Sequence, residues 1–296
     1  MMDAPEDEVD ADPIPNSNET KWRRFFRFLR LAPLSIWFAL IVLAFYATLV
    51  VFAQVLAPYS ETEIIGGAFL PPSAAHPMGT DALGRDFLSR MIYAAQNTVL
   101  IAIATTILSF VVGGFLGLLA ATVGSWLDQL MGRCVDVLMA IPPLIFALLL
   151  LSIFGTSTIN LILIIALVDA TRVFRMSRAV AMGVVVMEYV EAATLRGESL
   201  LWTVTREVLP NTLAPLTAEF GLRFCFVFLT ISALSFLGLG IQPPSADWGT
   251  MVRENAALIS FGELTPLYPA AAIGLLTICV NFIVDWVLKI SSGLKD

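Results

Sequence analysis

Cysteine, histidine and lysine are nearly absent from this chain of 296 residues, which carries three cysteines and a single histidine. Cys134, Cys225 and Cys279 lie far apart in apolar segments and form no C-x-x-C pair, so neither a disulfide framework nor a zinc site is expected, and all three read as packing residues. The lysines are Lys21, Lys289 and Lys295, and none follows a glycine. A phosphate-cradling P-loop needs Gly-Lys-Ser or Gly-Lys-Thr so that the lysine reaches the phosphates, and that chemistry is therefore excluded. No Gly-x-Ser-x-Gly elbow and no His-Glu-x-x-His pair occurs, and the lone His76 reads as a loop residue. No catalytic and no metal-binding residue is assigned, and with a formal charge of −7 no nucleic-acid partner is expected.

What the chain has in abundance is apolar surface: 58% of its residues are hydrophobic against 14% charged. No ordinary soluble domain needs so much to fill its core, so the composition implies an all-α protein of several membrane spans. Residues 1–33 read as a disordered acidic tail and a basic pre-membrane segment, residues 34–290 as the membrane domain, and residues 291–296 as a short tail. The first apolar stretch is too long for a signal peptide and reads as a retained helix.

A crossing helix takes about 20 mainly apolar residues. Six windows qualify: 34–56, 99–123, 135–154, 159–174, 213–237 and 268–289. The fourth is the weakest, because Asp169 and Arg172 interrupt it, and a re-entrant or interfacial helix is its alternative. Orientation follows from the basic residues, which stay on the cytoplasmic side. Six spans with both termini inside put Arg133, Arg172, Arg175, Arg178, Arg196 and Arg206 in the cytoplasm with both basic tails, and leave only Arg85, Arg90 and Arg253 outside. Residues 57–96 and 240–267 then form two outer loops, each too small for a domain.

The main inner excursion, at about 187–210, reads as a helix, a glycine hinge and a second helix stopped before Pro210. Gly197 permits a turn that other residues resist. Val190, Ala193 and Leu195 supply an apolar side, continued by Leu200, Leu201 and Val204 at helical spacing. Pro210 restarts the chain into the fifth span, where its missing N–H falls in a first helical turn.

Here the residues resemble a known family. Glu191, Ala192, Ala193, Gly197, Leu209 and Pro210 match the spacing E-A-A-x3-G-x9-I-x-L-P of permease subunits of bacterial ABC importers, with Glu207 at the Ile position. His76 to Arg90, HPMGTDALGRDFLSR, and Leu234 to Trp248, LSFLGLGIQPPSADW, resemble signature segments of the dipeptide, oligopeptide and nickel branch, specifically the second of its two paralogous membrane subunits. The resemblance covers about residues 34–288. It implies a six-helix permease of type I importer architecture in the bacterial inner membrane. The 187–210 segment would dock into a cleft on an ATPase subunit, with Glu191, Ala192, Ala193, Gly197, Leu209 and Pro210 as its coupling residues. The partners implied are a paralogous permease, two ATPases that hold ATP and Mg, a periplasmic solute-binding protein and membrane lipid.

Glu219 and Arg223 stand four apart in the fifth span, so they can pair on one helix face; they are either a structural ion pair or part of a translocation path. Asp169 and Asp285 are expected near the inner interface. Pro142 and Pro143 are expected to kink the third span, and Gly113, Gly114 and Gly117 to form a small-residue packing face in the second. Two rival functions stay open at this point: a stand-alone secondary transporter relaying ions through Asp169, Glu219 or Asp285, and a membrane scaffold that transports nothing.

Overall fold

The computed structural model of the chain describes residues 32–291; the acidic tail, the basic pre-membrane segment and Lys295 lie outside them. The first helix, α1 (Leu34–Leu56), is a full span, with Leu34, Ile41 and Val51 exposed on its outer face. Helix α2 (Phe87–Ser109) passes through a π turn (Phe110–Gly114) into α3 (Phe115–Val123). Together they make a 37-residue rod, Phe87–Val123. At 1.5 Å per residue it runs about 55 Å, well beyond the roughly 30 Å of hydrocarbon, so the second span starts twelve residues before the predicted window and projects from the bilayer.

The third predicted span is not one helix with a kink. Helix α4 (Ser125–Met139) and helix α5 (Pro143–Phe154) meet at an 85° bend across residues 140–142. Pro143 occupies the first turn of α5, where its missing N–H has no partner to lose, and the pair of prolines stops α4 outright.

The weakest predicted span becomes the hub of the fold. Helix α6 (Thr158–Val185) is an unbroken 28-residue helix, eleven residues longer at its C-terminal end than its apolar window. It packs against α2, α3, α4 and α5. Its hydropathy is low because Asp169, Ser177 and Thr171 point into the interior, where each is buried. An unbroken 28-residue helix at the centre of the packing fits the span reading better than a re-entrant one.

Two of the three glycines act as expected. A Cβ on Gly113 would lie 2.3 Å from the Ala170 carbonyl oxygen and one on Gly117 2.6 Å from that of Phe174, so both let α6 approach to backbone contact. Gly114 meets no backbone there and faces an apolar groove instead.

Beyond α6 come α7 (Glu188–Leu195) and the short α8 (Leu200–Thr203). A second π turn (Val204–Val208) leads into α9 (Leu209–Phe236). The second helix of the excursion therefore does not stop before Pro210. The chain is helical from Leu200 to Phe236, because the Leu209 N–H reaches back five residues to the Val204 carbonyl and the widened turn absorbs the proline. After α9 come α10 (Trp248–Asn255), a 3₁₀ turn (Ala256–Phe261) and the last span, α11 (Leu267–Ser291), packed on α1 and α9.

Counted by length and apolarity alone, four helices among the described residues can cross a membrane, with the bent α4–α5 pair a fifth. With α6 the fold keeps six membrane-embedded units.

Candidate functional site

Three sites emerge from the packing: at the end of the spans expected to face outward (the outer end), within the spans, and at the opposite end, expected to face inward (the inner end). The outer loops are not independent. The segment before α2 and the segment before α10, distant in sequence, are joined by buried polar contacts. Asp81 takes Arg85 at 2.7 Å and Arg90 as well, and Glu254 of α10 stands 3.7 Å from Arg90. Asp86 caps α2 through the Ser89 N–H and hydroxyl, both at 2.7 Å, and faces His76 at 3.3 Å. His76 thus lies in a loop, against the Tyr59 ring.

Across the junction Thr98 donates to Asp247 at 2.8 Å, while Glu61 accepts from the Ala246 N–H at 2.7 Å and from Asn97 at 3.1 Å. Trp248 is fully buried, donates to the Met91 carbonyl and stacks edge-on to Tyr46 and Phe228. Arg85 and Arg90, two of the three outer cations, are consequently neutralised inside the protein. Sequence inspection marked both signature segments but gave no sign that they bind each other.

Within the spans, Arg223 of α9 approaches Glu219 at 2.6 Å, a close charge contact without the alignment of a hydrogen bond. The predicted pair has a further member. Asp169 of α6 lies 3.7 Å from Arg223 and accepts from Ser109 of α2 at 3.1 Å, so three helices converge on one charge cluster. The guanidinium also lies 4.8 Å from the Phe226 ring centre. Asp169 is therefore a buried partner of Arg223, whereas Asp285 is exposed. The i, i+4 rule finds pairs on one helix only, which is why Asp169 and Ser109 escaped it.

At the inner end, α7 carries Glu191, Ala192 and Ala193 in two turns, with Glu188 and Glu191 in the first turn, where the helix dipole favours negative charge. Ala193 and Val190 are buried, Ala192 is half-buried and Glu191 is exposed. The helix ends in a Schellman turn: the Gly197 N–H donates to the Thr194 carbonyl at 3.0 Å and the Glu198 N–H to that of Ala193 at 3.2 Å. Gly197 has φ +80° with open space around it, so conformation and not packing demands glycine.

Leu195 departs from the predicted apolar face. It is 81% exposed, with Leu200 and Leu201 also exposed, because the buried side of α7 is Val190–Ala193 and the chain turns away after it. Leu209 belongs to a small cluster with Leu118, Ala181, Val204 and Val208, and Pro210 is exposed just beyond it. Glu191, Ala192, Ala193 and Gly197 thus lie in α7 and its closing turn, while Leu209 packs in the small cluster at the start of α9.

One cysteine also departs from expectation. Cys225 and Cys279 are buried, but Cys134 is exposed on α4.

Residues 113–293 match the family described as binding-protein-dependent transport system inner membrane component. Similar proteins include a di/tripeptide transport system permease of Pseudomonas aeruginosa, 35% identical, over 83% of this chain and 81% of the relative. A dipeptide transport system permease of Escherichia coli is 32% identical over 100% of this chain and 97% of its own length. A glutathione transport system permease of Pectobacterium atrosepticum is 30% identical over 95% and 91%. This chain therefore belongs to the family of binding-protein-dependent transport system inner membrane components, as the non-catalytic permease subunit of an ABC importer whose ATPase is a separate subunit.

Proposed function

We propose that the chain forms one half of an import path for peptides or similar small solutes, in company with a paralogous permease, and that α7 transmits the motion of two ATPase subunits that bind ATP and Mg. A periplasmic solute-binding protein delivers the solute to the outer platform. The observation that carries this reading is the build of the inner excursion: a short helix held by buried Val190 and Ala193, closed by the glycine turn, with Glu191, Leu195, Leu200 and Leu201 left exposed. Its inner face is anchored to the spans and its outer face has room for a partner's groove.

The reading requires ATP-loaded partners to bind one conformation of the permease better than the other, since equal affinity shifts nothing. Motion is then conveyed through the Leu118–Ala181–Val208 cluster into α3, α6 and α9. The charge cluster of Asp169, Glu219 and Arg223 ties α6 to α9 and, through Ser109, to α2, and is our candidate for the moving joint or the path wall. Cytoplasmic placement of the excursion and of both termini is supported by Arg172, Arg175, Arg178, Arg196 and Arg206 near that end, while Arg85 and Arg90 at the other end are consumed in buried ion pairs.

Thiol labelling tests it. In a Cys134→Ser background, Leu195→Cys should resist impermeant reagent applied to intact cells, react in inverted vesicles, and be shielded when the ATPases are bound. Labelling from outside intact cells would end the proposal, as would failure of Glu191→Arg to weaken co-purification of an ATPase.

A further inference from the structure

Helix α4 differs from every other long helix of the fold in having no buried residue. It leaves the second span at Gly124 and turns 85° into α5, so membrane-embedded helices lie on both sides of it. One side of α4 rests on α6, where Arg178 grips Asp128 with both carboxylate oxygens engaged, Nη2 to Oδ2 at 2.6 Å. Met139, at the far end, lies against Arg175. The helix therefore sits at the level of Arg175 and Arg178, two cations in the C-terminal half of α6, and cations at that depth mark a membrane–water boundary.

The side of α4 turned away from α6 has two flanks. Trp126, Leu130, Cys134 and Val137 recur at spacings of four, four and three, which aligns them along one helix edge, and all are exposed. Gln129 and Arg133 follow the adjoining edge and are exposed too, while Asp136 lies further round the helix, 4.0 Å from Arg175 of α6. An apolar edge beside a polar edge, with a tryptophan and an arginine among them, is the pattern of a helix that lies in a bilayer surface.

We propose that α4 lies along the lipid headgroup boundary, on the side of the membrane that holds the Gly197 turn, with the Trp126–Val137 edge in the acyl region and Arg133 beside lipid phosphate. Through the Arg178–Asp128 pair the leaflet then touches the same helix, α6, that leads into α7. This inference rests on the chain's being a multi-pass membrane protein and does not depend on how α7 couples.

Native Cys134 provides the probe. The full chain with its co-purifying subunits is labelled there with a nitroxide and reconstituted in vesicles of phosphatidylglycerol and phosphatidylcholine; Cys225 and Cys279 are buried and stay unlabelled. Relaxation by oxygen should exceed relaxation by a water-soluble nickel chelate at Cys134, and likewise at Leu130→Cys in a Cys134→Ser chain. At Gln129→Cys and Arg133→Cys the ratio should invert, so the preference shifts with helical period. Dominance of the nickel chelate at all four positions would place the helix in water and overturn the proposal. Protection from both relaxants at Leu130 and Cys134 would mean that a protein partner covers this edge, which also overturns it.

Discussion

Asp169 of α6 lies 3.7 Å from Arg223 of α9, and that contact turns a same-helix ion pair into a joint between separate spans. The arrangement places two carboxylates against one guanidinium, with Ser109 of a third helix holding Asp169 in place.

Breaking the joint from the cationic side should be the more damaging change. Arg223→Leu leaves Asp169 buried without its partner, which destabilises by about 3–5 kcal/mol in comparable buried pairs. Replacing Asp169, Glu219 and Arg223 together by apolar residues should recover much of that loss. Thermal unfolding in detergent checks the order, and uptake by the recovered triple variant separates a packing role from a role in the path: uptake at the native level would leave the cluster purely structural.

Close helix contact gives a second expectation. Gly113→Leu must push α6 away from the carbonyl of Ala170, and overpacking of this kind costs about 1–3 kcal/mol. Gly114→Ala should be nearly neutral, since no backbone lies within reach there. Equal melting losses for the two variants would contradict the packing described for α2, α3 and α6.

At the turn that closes α7, Gly197→Ala has free space but the wrong backbone preference, a penalty of about 1–2 kcal/mol confined to the turn. Gly197→Asn should be milder, because asparagine tolerates the left-handed region. Uptake and ATPase co-purification are expected to fall in the order Gly, Asn, Ala, while the melting temperature of the spans barely moves.

The outer platform should respond to pH through Asp247. Burial raises its carboxyl above the ordinary 3.8, against the lowering effect of hydrogen bonds from the Thr250 N–H, Thr98, Ser235 and the Thr250 hydroxyl. With the folded pKa raised, the folded state holds the proton more tightly than the unfolded chain, so stability declines as pH rises from about that ordinary value through the folded one. Asp247→Asn cannot titrate and should flatten this slope, whatever its effect on absolute stability. Denaturation measured across acid pH for both proteins reads the difference, and parallel slopes would refute it.

Some of this architecture was legible in residue order because its signals are local. Apolar length marked α1, α9 and α11, and the run from Glu191 to Gly197 marked a short helix with a glycine turn, since helical period and φ preference act within a few residues. The same local rules misled where two of them met. Pro142 and Pro143 signalled a break but not its 85° size, which is set by what α4 and α5 each pack against. Leu195 fits the helical stripe by spacing, yet it falls past the last turn that α7 lays on its neighbours. The apolar window of the fourth span ends at Phe174 because Arg175 and Arg178 follow it, yet Arg178 is paired with Asp128 and the helix runs on to Val185.

By itself the sequence determined that this is a multi-pass membrane permease lacking a Gly-Lys-Ser or Gly-Lys-Thr phosphate loop, and where the short helix with its glycine turn lies, because hydropathy, motif spacing and missing lysines are properties of neighbours along the chain. Only the tertiary structure decided that Asp169 completes the Arg223 cluster, that the two outer segments lock together around Trp248, and that α4 lies exposed beside the spans. Those outcomes depend on which surfaces meet after the helices pack, and contacts between residues so distant in the chain leave no periodic trace in it.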